Sequence, residues 1–357
     1  MKTRKAGAAG KRRAADAAAG GAPAARSRVI CDLDFDRAGK QAGLMRVPHS
    51  RNDSGWGVIQ IPITVVKHGK GPTVLLTGGV HGDEYESQIA IAELARTIDP
   101  ATVQGRLIIV PALHFPAAMN GSRLSPLDNK DLNRCFPGRA EGTTADVIAH
   151  YVSSVLLPMS DYNIDLHSGG RGMDFVPSTT SHVLDDRRRF EKTNALGLAF
   201  GAPYHVVIKE VDAGYTLMTC CEQRDVVAIS SELGGGNRVN VDGMRATREG
   251  IRRTLAHLGV VDAPAGRTAA SKTRLMTVPD YDCYAFAPCG GLFEPRHALG
   301  ARVRKGELAG ALHFIDDPHR PPVEIRYGAS GEVWCTRAQG IVLPGDPVAV
   351  IVAPYQG

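Results

Sequence analysis

The chain has 357 residues, 43% of them hydrophobic and 22% charged, enough to bury a large core and to divide into two domains. No run approaches the roughly 18 consecutive apolar residues that cross a bilayer, which excludes a membrane-spanning reading. The net charge of +5 belongs to a tail, because the first 28 residues hold eight Lys or Arg against Asp16 alone and leave the remainder at −2.

That tail is rich in Ala, Gly and Arg and poor in large apolar residues, so residues 1–28 are expected to be disordered. No apolar stretch follows Arg12-Arg13, as a secretory signal would require. The tail is the sole argument for nucleic acid, and the sequence predicts neither a nucleic-acid nor a membrane partner. Seven cysteines, Cys31, Cys135, Cys220, Cys221, Cys283, Cys289 and Cys335, are scattered without a CxxC pair. They read as packing residues of a protein kept in a reducing, cytoplasmic compartment.

In chain order, the segment from Trp56 to Gly69 is β-branched and partly alternating and predicts an entering strand. "TVLLTGG" from Thr73 predicts a buried strand, "ESQIAIAELARTI" from Glu86 an amphipathic helix, and "GRLIIVPAL" from Gly105 another buried strand. After a long polar loop, "TADVIAHYVSSVLL" from Thr144 predicts a helix and "DYNIDL" from Asp161 a short strand. Further on, "RRFEKTNALGLAFG" is helical, "YHVVIKE" extended, "VVAISSE" a buried strand, and "MRATREGIRRTLAHLG" a helix stopped by Gly259. This alternation predicts an α/β unit over residues 29–262, with a mostly parallel mixed sheet flanked by helices.

"VVDAPAGRTAASKT" reads as a linker. From Arg274 to the end, short β runs punctuated by glycine predict a small all-β unit, similar in its "RKGELAG" and "LPGDPVAVI" phrasing to barrel-sandwich domains. No lysine stands where a carrier domain would be modified, so this unit is read as an appendage bordering the site. Its exposure leaves room for a homo-oligomer.

Three apolar runs stop on ionisable residues: one on His81, Asp83 and Glu84, one on His167 and one on Glu232. In a parallel sheet such positions converge at the carboxyl edge, where loops meet over one crevice. Two histidines and a carboxylate are a common catalytic zinc set with a position left for water, and Gly78, Gly79 and Gly82 permit the sharp turn that would bring His81 and Glu84 together. Asp83 reads as a helix cap or a partner of a ligand. The loop from Gly121 to Gly138 is long enough to be functional, with Leu124, Leu132, Phe136 and Pro137 as apolar anchors. In it Arg134 and Asn133 offer a forked guanidinium and an amide suited to a substrate carboxylate, and Arg123 is a second cation able to polarise a carbonyl. Cys135, beside Arg134, reads as a packed thiol.

"HGDE", "DLNRCFPG", "DLHSGG" and "SELGGG", in this order, resemble the signature of the succinylglutamate desuccinylase/aspartoacylase family, part of the zinc carboxypeptidase superfamily. The resemblance implies a zinc-carboxypeptidase-like catalytic domain, a small C-terminal β domain over 274–357, and hydrolysis of an N-acyl amino acid, a small-molecule substrate. It implies that His81, Glu84 and His167 bind one Zn2+, that Asn133 and Arg134 hold the substrate carboxylate, and that Glu232 is the catalytic base. The segments from Arg46 to Glu86 and from Arg123 to Gly138 are most similar to the subfamily that deacetylates N-alpha-acetyl-L-2,4-diaminobutyrate in ectoine degradation. The spacing from Arg123 to Arg134 is longer than in aspartoacylases and leaves the carbonyl-polarising role of Arg123 open.

Other readings stay open on the sequence. An aspartoacylase or succinylglutamate desuccinylase would need a further cation for a side-chain carboxylate, with Arg171 as candidate. A diaminobutyrate side chain would need an acid or a cage of carbonyls for its ammonium, with the acids Glu86, Asp131 and Asp174 near in sequence. A non-catalytic zinc-binding interaction protein is the third, disfavoured because structural zinc sites are usually closed by four protein ligands and three are found here.

Overall fold

The computed structural model describes residues 26–209, 214–262 and 272–356. Most of the expected basic tail and most of the expected linker lie outside the described residues.

Antiparallel strands Ile30–Cys31, Gly39–Pro48 and Val58–His68 form one flank of the main sheet. Four parallel strands follow across it: Gly105–Val110, Thr73–Gly78, Tyr162–Leu166 and Val227–Glu232. Next comes Ser178–His182, antiparallel to Val227–Glu232, and then Tyr204–Ile208 and Arg274–Thr277, each parallel to its predecessor. The sheet continues without a break into the C-terminal strands Pro347–Pro354, Gly331–Arg337 and Arg302–Val303. A second, four-stranded sheet of Val323–Arg326, Leu308–His313, Gly291–Pro295 and Ile341–Val342 packs within the C-terminal core.

Period-two alternation in the central strands explains why both faces are covered. Leu76, Ile109, Ile164 and Ile229 point to one face, under helices Tyr85–Thr97, Arg187–Phe200 and Val241–His257. Leu75, Ile108 and Ala228 point to the other, under helices Thr144–Tyr151 and Leu217–Glu222. The expected helix from Thr144 is shorter than the periodicity suggests. It loosens into a π turn over Val152–Leu156 and a 3-10 turn over Leu157–Met159, since Pro158 cannot continue the i to i−4 ladder. Gly259 ends the last long helix at a positive φ of 67°, as expected.

Strand Ser178–His182 has no counterpart in the sequence reading. Every residue of it is buried, yet its side chains are hydroxyls and an imidazole, so hydrophobic alternation does not reveal it.

The long loop is ordered by acids as much as by apolar anchors. Leu132 and Phe136 are fully buried, whereas Leu124 is 37% exposed and Pro137 is exposed. Asp128 accepts from the Ala145 amide at 2.8 Å, and Asp146 accepts from Lys130 Nζ at 2.8 Å, the Thr143 amide at 2.9 Å and Arg139 Nη2 at 3.2 Å. Burial works against ionisation of Asp146, but these donors bring its carboxyl down to about 2 from the ordinary 3.8. A depressed carboxylate stabilises the fold above its unfolded pKa, and that stability is lost as pH falls through the folded value. Asp146→Asn is therefore expected to cost roughly 2 kcal/mol in urea unfolding at pH 7. The gap to the unsubstituted protein should close as the pH is lowered from about 4 to about 2.

Candidate active site

His81 and Glu84 lie in the turn between strand Thr73–Gly78 and helix Tyr85–Thr97, His167 follows strand Tyr162–Leu166, and Glu232 ends strand Val227–Glu232. These strands are neighbours, with Gly78 opposite Leu166 and Ser230 opposite Asp165, so their carboxyl ends are level and the four side chains meet. Two glycines make the turn possible. Gly79 has a φ of 61°, and a Cβ on Gly82 would stand 2.0 Å from the Ala117 carbonyl oxygen.

The side chains of His81, Glu84 and His167 are all buried. Glu84 Oε1 is 2.7 Å from His81 Nδ1, Glu84 Oε2 is 2.8 Å from His167 Nδ1, and the two Nδ1 atoms are 3.2 Å apart. Each imidazole is also held from behind, His81 Nε2 by Asp131 Oδ1 at 3.0 Å and His167 Nε2 by Asp165 Oδ2 at 2.9 Å. A carboxylate behind Nε2 places the ring hydrogen there and turns the Nδ1 lone pair inward. With both rings in that tautomer, two nitrogen lone pairs and both oxygens of Glu84 point to one place, where a single cation satisfies them together. The donor set thus fits a metal ion, and these three residues are the one His/Cys/Asp/Glu group among the described residues close enough to share one. Burial opposes ionisation of Glu84, but the two imidazoles hold its carboxyl well below the usual carboxylate range.

Glu232 is half-buried beside this cradle, and its Oε2 is enclosed without a hydrogen-bond partner. Burial first, then the Glu84 carboxylate, push its carboxyl up to about 8 from 4.5, with His167 and Arg123 pulling the other way. A partly enclosed carboxyl poised near neutrality is suited to accepting and returning a proton.

A cavity of about 260 Å³ opens over these groups, and Arg123, Asn133 and Arg134 also line it. Asn133 Oδ1 accepts from the Leu217 amide at 2.9 Å, which turns its amide nitrogen to the other side. Arg134 is exposed at the mouth. Arg123 grips Asp131 with Nη2 at 2.9 Å, and its Nη1 lies 3.4 Å from His81 Nδ1. The C-terminal strands build one wall. Strand Met173–Phe175 pairs with Gly331–Arg337, Phe175 meets Trp334 edge-on at 5.0 Å between ring centres, and Met173 and Phe175 both face the cavity.

Several other residues singled out in the sequence go elsewhere. Asp83 is not the cap of the following helix, which starts from Glu84; its Oδ2 instead accepts from the Arg171 amide at 2.7 Å. The Arg171 side chain is not among the cavity lining. Asp131 is held by His81 and Arg123, Glu86 by Ser168 and Asn240, and Asp174 Oδ2 by Arg238 while its Oδ1 is buried without a partner; none of the three is among the cavity lining, so none forms an ammonium cage there. Cys135 is half-buried, and burial with Asp146 nearby pushes its thiol up to about 11. The sequence reading missed Asp165, although an acid two residues before a strand-end histidine shares its face.

Two imidazoles and a carboxylate at the carboxyl edge of a mixed α/β sheet, with a half-buried carboxyl beside them, have the layout of a metal-assisted hydrolase. Residues 70–258 match the succinylglutamate desuccinylase/aspartoacylase catalytic domain, and the chain belongs to that family. It is 39% identical over 325 residues to the N-alpha-acetyl-L-2,4-diaminobutyric acid deacetylase of Halomonas elongata, covering 91% of this chain and 95% of that one. Among solved structures, a succinylglutamate desuccinylase/aspartoacylase from Rhodobacter sphaeroides is 49% identical with a TM-score of 0.88, covering 92% of this chain and all of that one. The product-bound ectoine utilization protein EutE (DoeB) from Ruegeria pomeroyi is 42% identical, also with a TM-score of 0.88, over 92% of this chain and 99% of its own. No described helix is long and apolar enough to cross a membrane.

Proposed function

We propose that this chain is a zinc-dependent amidohydrolase that removes the acetyl group from N-alpha-acetyl-L-2,4-diaminobutyrate, releasing acetate and L-2,4-diaminobutyrate. The observation that carries the reaction class is the buried His81–Glu84–His167 cradle with an unpartnered oxygen of Glu232 beside it. The substrate rests on similarity along nearly the whole length of the Halomonas elongata deacetylase.

In this reading His81, Glu84 and His167 hold the ion, while Asp131 and Asp165 keep both rings in the tautomer with its hydrogen on Nε2 and the Nδ1 lone pair directed at the ion. Zinc bound there would supply an acidified water and a Lewis acid for the acyl carbonyl. Glu232 accepts the proton of the attacking water and returns it to the departing α-nitrogen, which must leave as a neutral amine. Arg134 and the Asn133 amide take the α-carboxylate and fix the scissile bond over Glu232. Arg123, tied to Asp131, places positive charge where the carbonyl oxygen becomes negative.

Amine release from N-alpha- and N-gamma-acetyl-diaminobutyrate, N-acetyl-aspartate and N-succinyl-glutamate, each with metal-stripped and zinc-restored protein, tests the proposal. Zinc-dependent cleavage centred on the alpha-acetyl compound is expected. Preference for a dicarboxylic substrate would keep the chemistry and replace the substrate. Arg134→Ala is expected to raise KM by about tenfold or more with a smaller change in kcat, because a carboxylate contact made equally in ground and transition states is uniform binding.

A further inference from the structure

The cavity does not end at Glu232. It runs inward along the face of the sheet beneath helix Leu217–Glu222, where Ser230, Thr180 and His182 line it. The strand register explains their meeting. Ser230 and Thr180 stand directly opposite each other on antiparallel strands, and His182, two residues beyond Thr180, shares its face. No hydrogen bond is formed by Ser230 Oγ, Thr180 Oγ1 or His182 Nε2 within the described residues. Polar groups that line a cavity without internal partners are available to a ligand.

His182 and Glu222 set the sign of this end. Both oxygens of Glu222 lie near His182 Nδ1, at 3.0 and 3.1 Å, and their side chains are only 7% and 15% exposed. A carboxylate at Nδ1 holds the ring hydrogen on that nitrogen, which leaves Nε2 as an acceptor with negative charge behind it. Arg189 approaches Glu222 from outside, but it binds the backbone carbonyl and pairs with Asp225. Both arginines that line the cavity, Arg123 and Arg134, carry more exposed side chains toward its mouth. The inner end therefore presents acceptors with the Glu222 carboxylate behind His182, a poor setting for a second carboxylate and a good one for a primary ammonium with three donors.

We infer that Ser230, Thr180 and His182, backed by Glu222, form the specificity subsite for the side-chain ammonium of the substrate. This rests on the deacetylase reading above. Two residues, roughly 7 Å along the strand, separate Glu232 from the Ser230 and Thr180 pair, a span met by the roughly 5 Å between the two nitrogens of an extended diaminobutyrate together with one hydrogen bond of about 2.8 Å. An N-acyl amino acid with a neutral side chain would leave the acceptors unpaired, and one with an acidic side chain would meet the negative charge that Glu222 places behind His182, so the subsite selects by both loss and repulsion.

The test is calorimetric titration of the zinc-loaded, full-length protein with L-2,4-diaminobutyrate and with L-2-aminobutyrate, which lacks only the terminal ammonium. The unsubstituted protein is expected to bind the diamine at least about tenfold more tightly, and both Glu222→Gln and Ser230→Ala should narrow that ratio. If the two variants keep the ratio, or weaken both ligands equally, the subsite is overturned. No preference in the unsubstituted protein, with acetyl-diaminobutyrate still cleaved, would also overturn the subsite while leaving the reaction intact. Absence of both preference and cleavage would overturn the deacetylase reading along with it.

Discussion

Glu232→Gln is expected to lower kcat on the acetylated substrate by about 10²–10⁴ while zinc content stays at one ion per chain. The substitution keeps the shape of a half-buried side chain with one enclosed, unpartnered oxygen, so folding and the three-residue cradle should be preserved. What it removes is the group able to take a proton from water and deliver it to the leaving nitrogen. Steady-state rates alongside elemental analysis of the same samples separate the two effects. Turnover near that of the unsubstituted protein would assign the proton transfer to another residue, and loss of zinc would make Glu232 a structural support of the cradle.

His167→Ala is expected to abolish both zinc retention and turnover, a larger loss of metal than any substitution behind the ligands. Asp165→Asn should be intermediate. The carboxylate of Asp165 accepts from Thr77 at 2.6 Å and holds His167 at 2.9 Å, and removing such a partner usually weakens metal affinity by about 10- to 100-fold without deleting a donor. Competition with a chromogenic chelator, read as the metal dissociation constant, would rank the three proteins. If His167→Ala retains zinc as the unsubstituted protein does, the cradle does not hold the ion.

The meeting of His81, Glu84 and His167 was readable because each follows an apolar run at a strand end, and strand ends in a parallel sheet share an edge. The residues behind them were less so. Asp131 is 50 positions from the histidine it holds, and nothing in the order of residues distinguishes an acid that orients His81 from one that would bind an ammonium. Arg171 looked available as a substrate cation, yet its side chain lies outside the cavity lining while its backbone is drawn to Asp83.

By itself the sequence determined the alternation of strands and helices, the four motifs and their order, and therefore the family and the convergence of His81, Glu84, His167 and Glu232. Those features are local or periodic, and hydrophobic pattern with turn chemistry expresses them directly. Only the tertiary structure decided which carboxylates stand behind the histidines, how the C-terminal strands wall the cavity through Phe175 and Trp334, and what lies at its inner end. Strand Ser178–His182 shows the reason. Its hydroxyls and imidazole have no hydrophobic signature, and they are buried because the chain pairs this segment with strands distant in sequence, so their partners are set by register across the sheet.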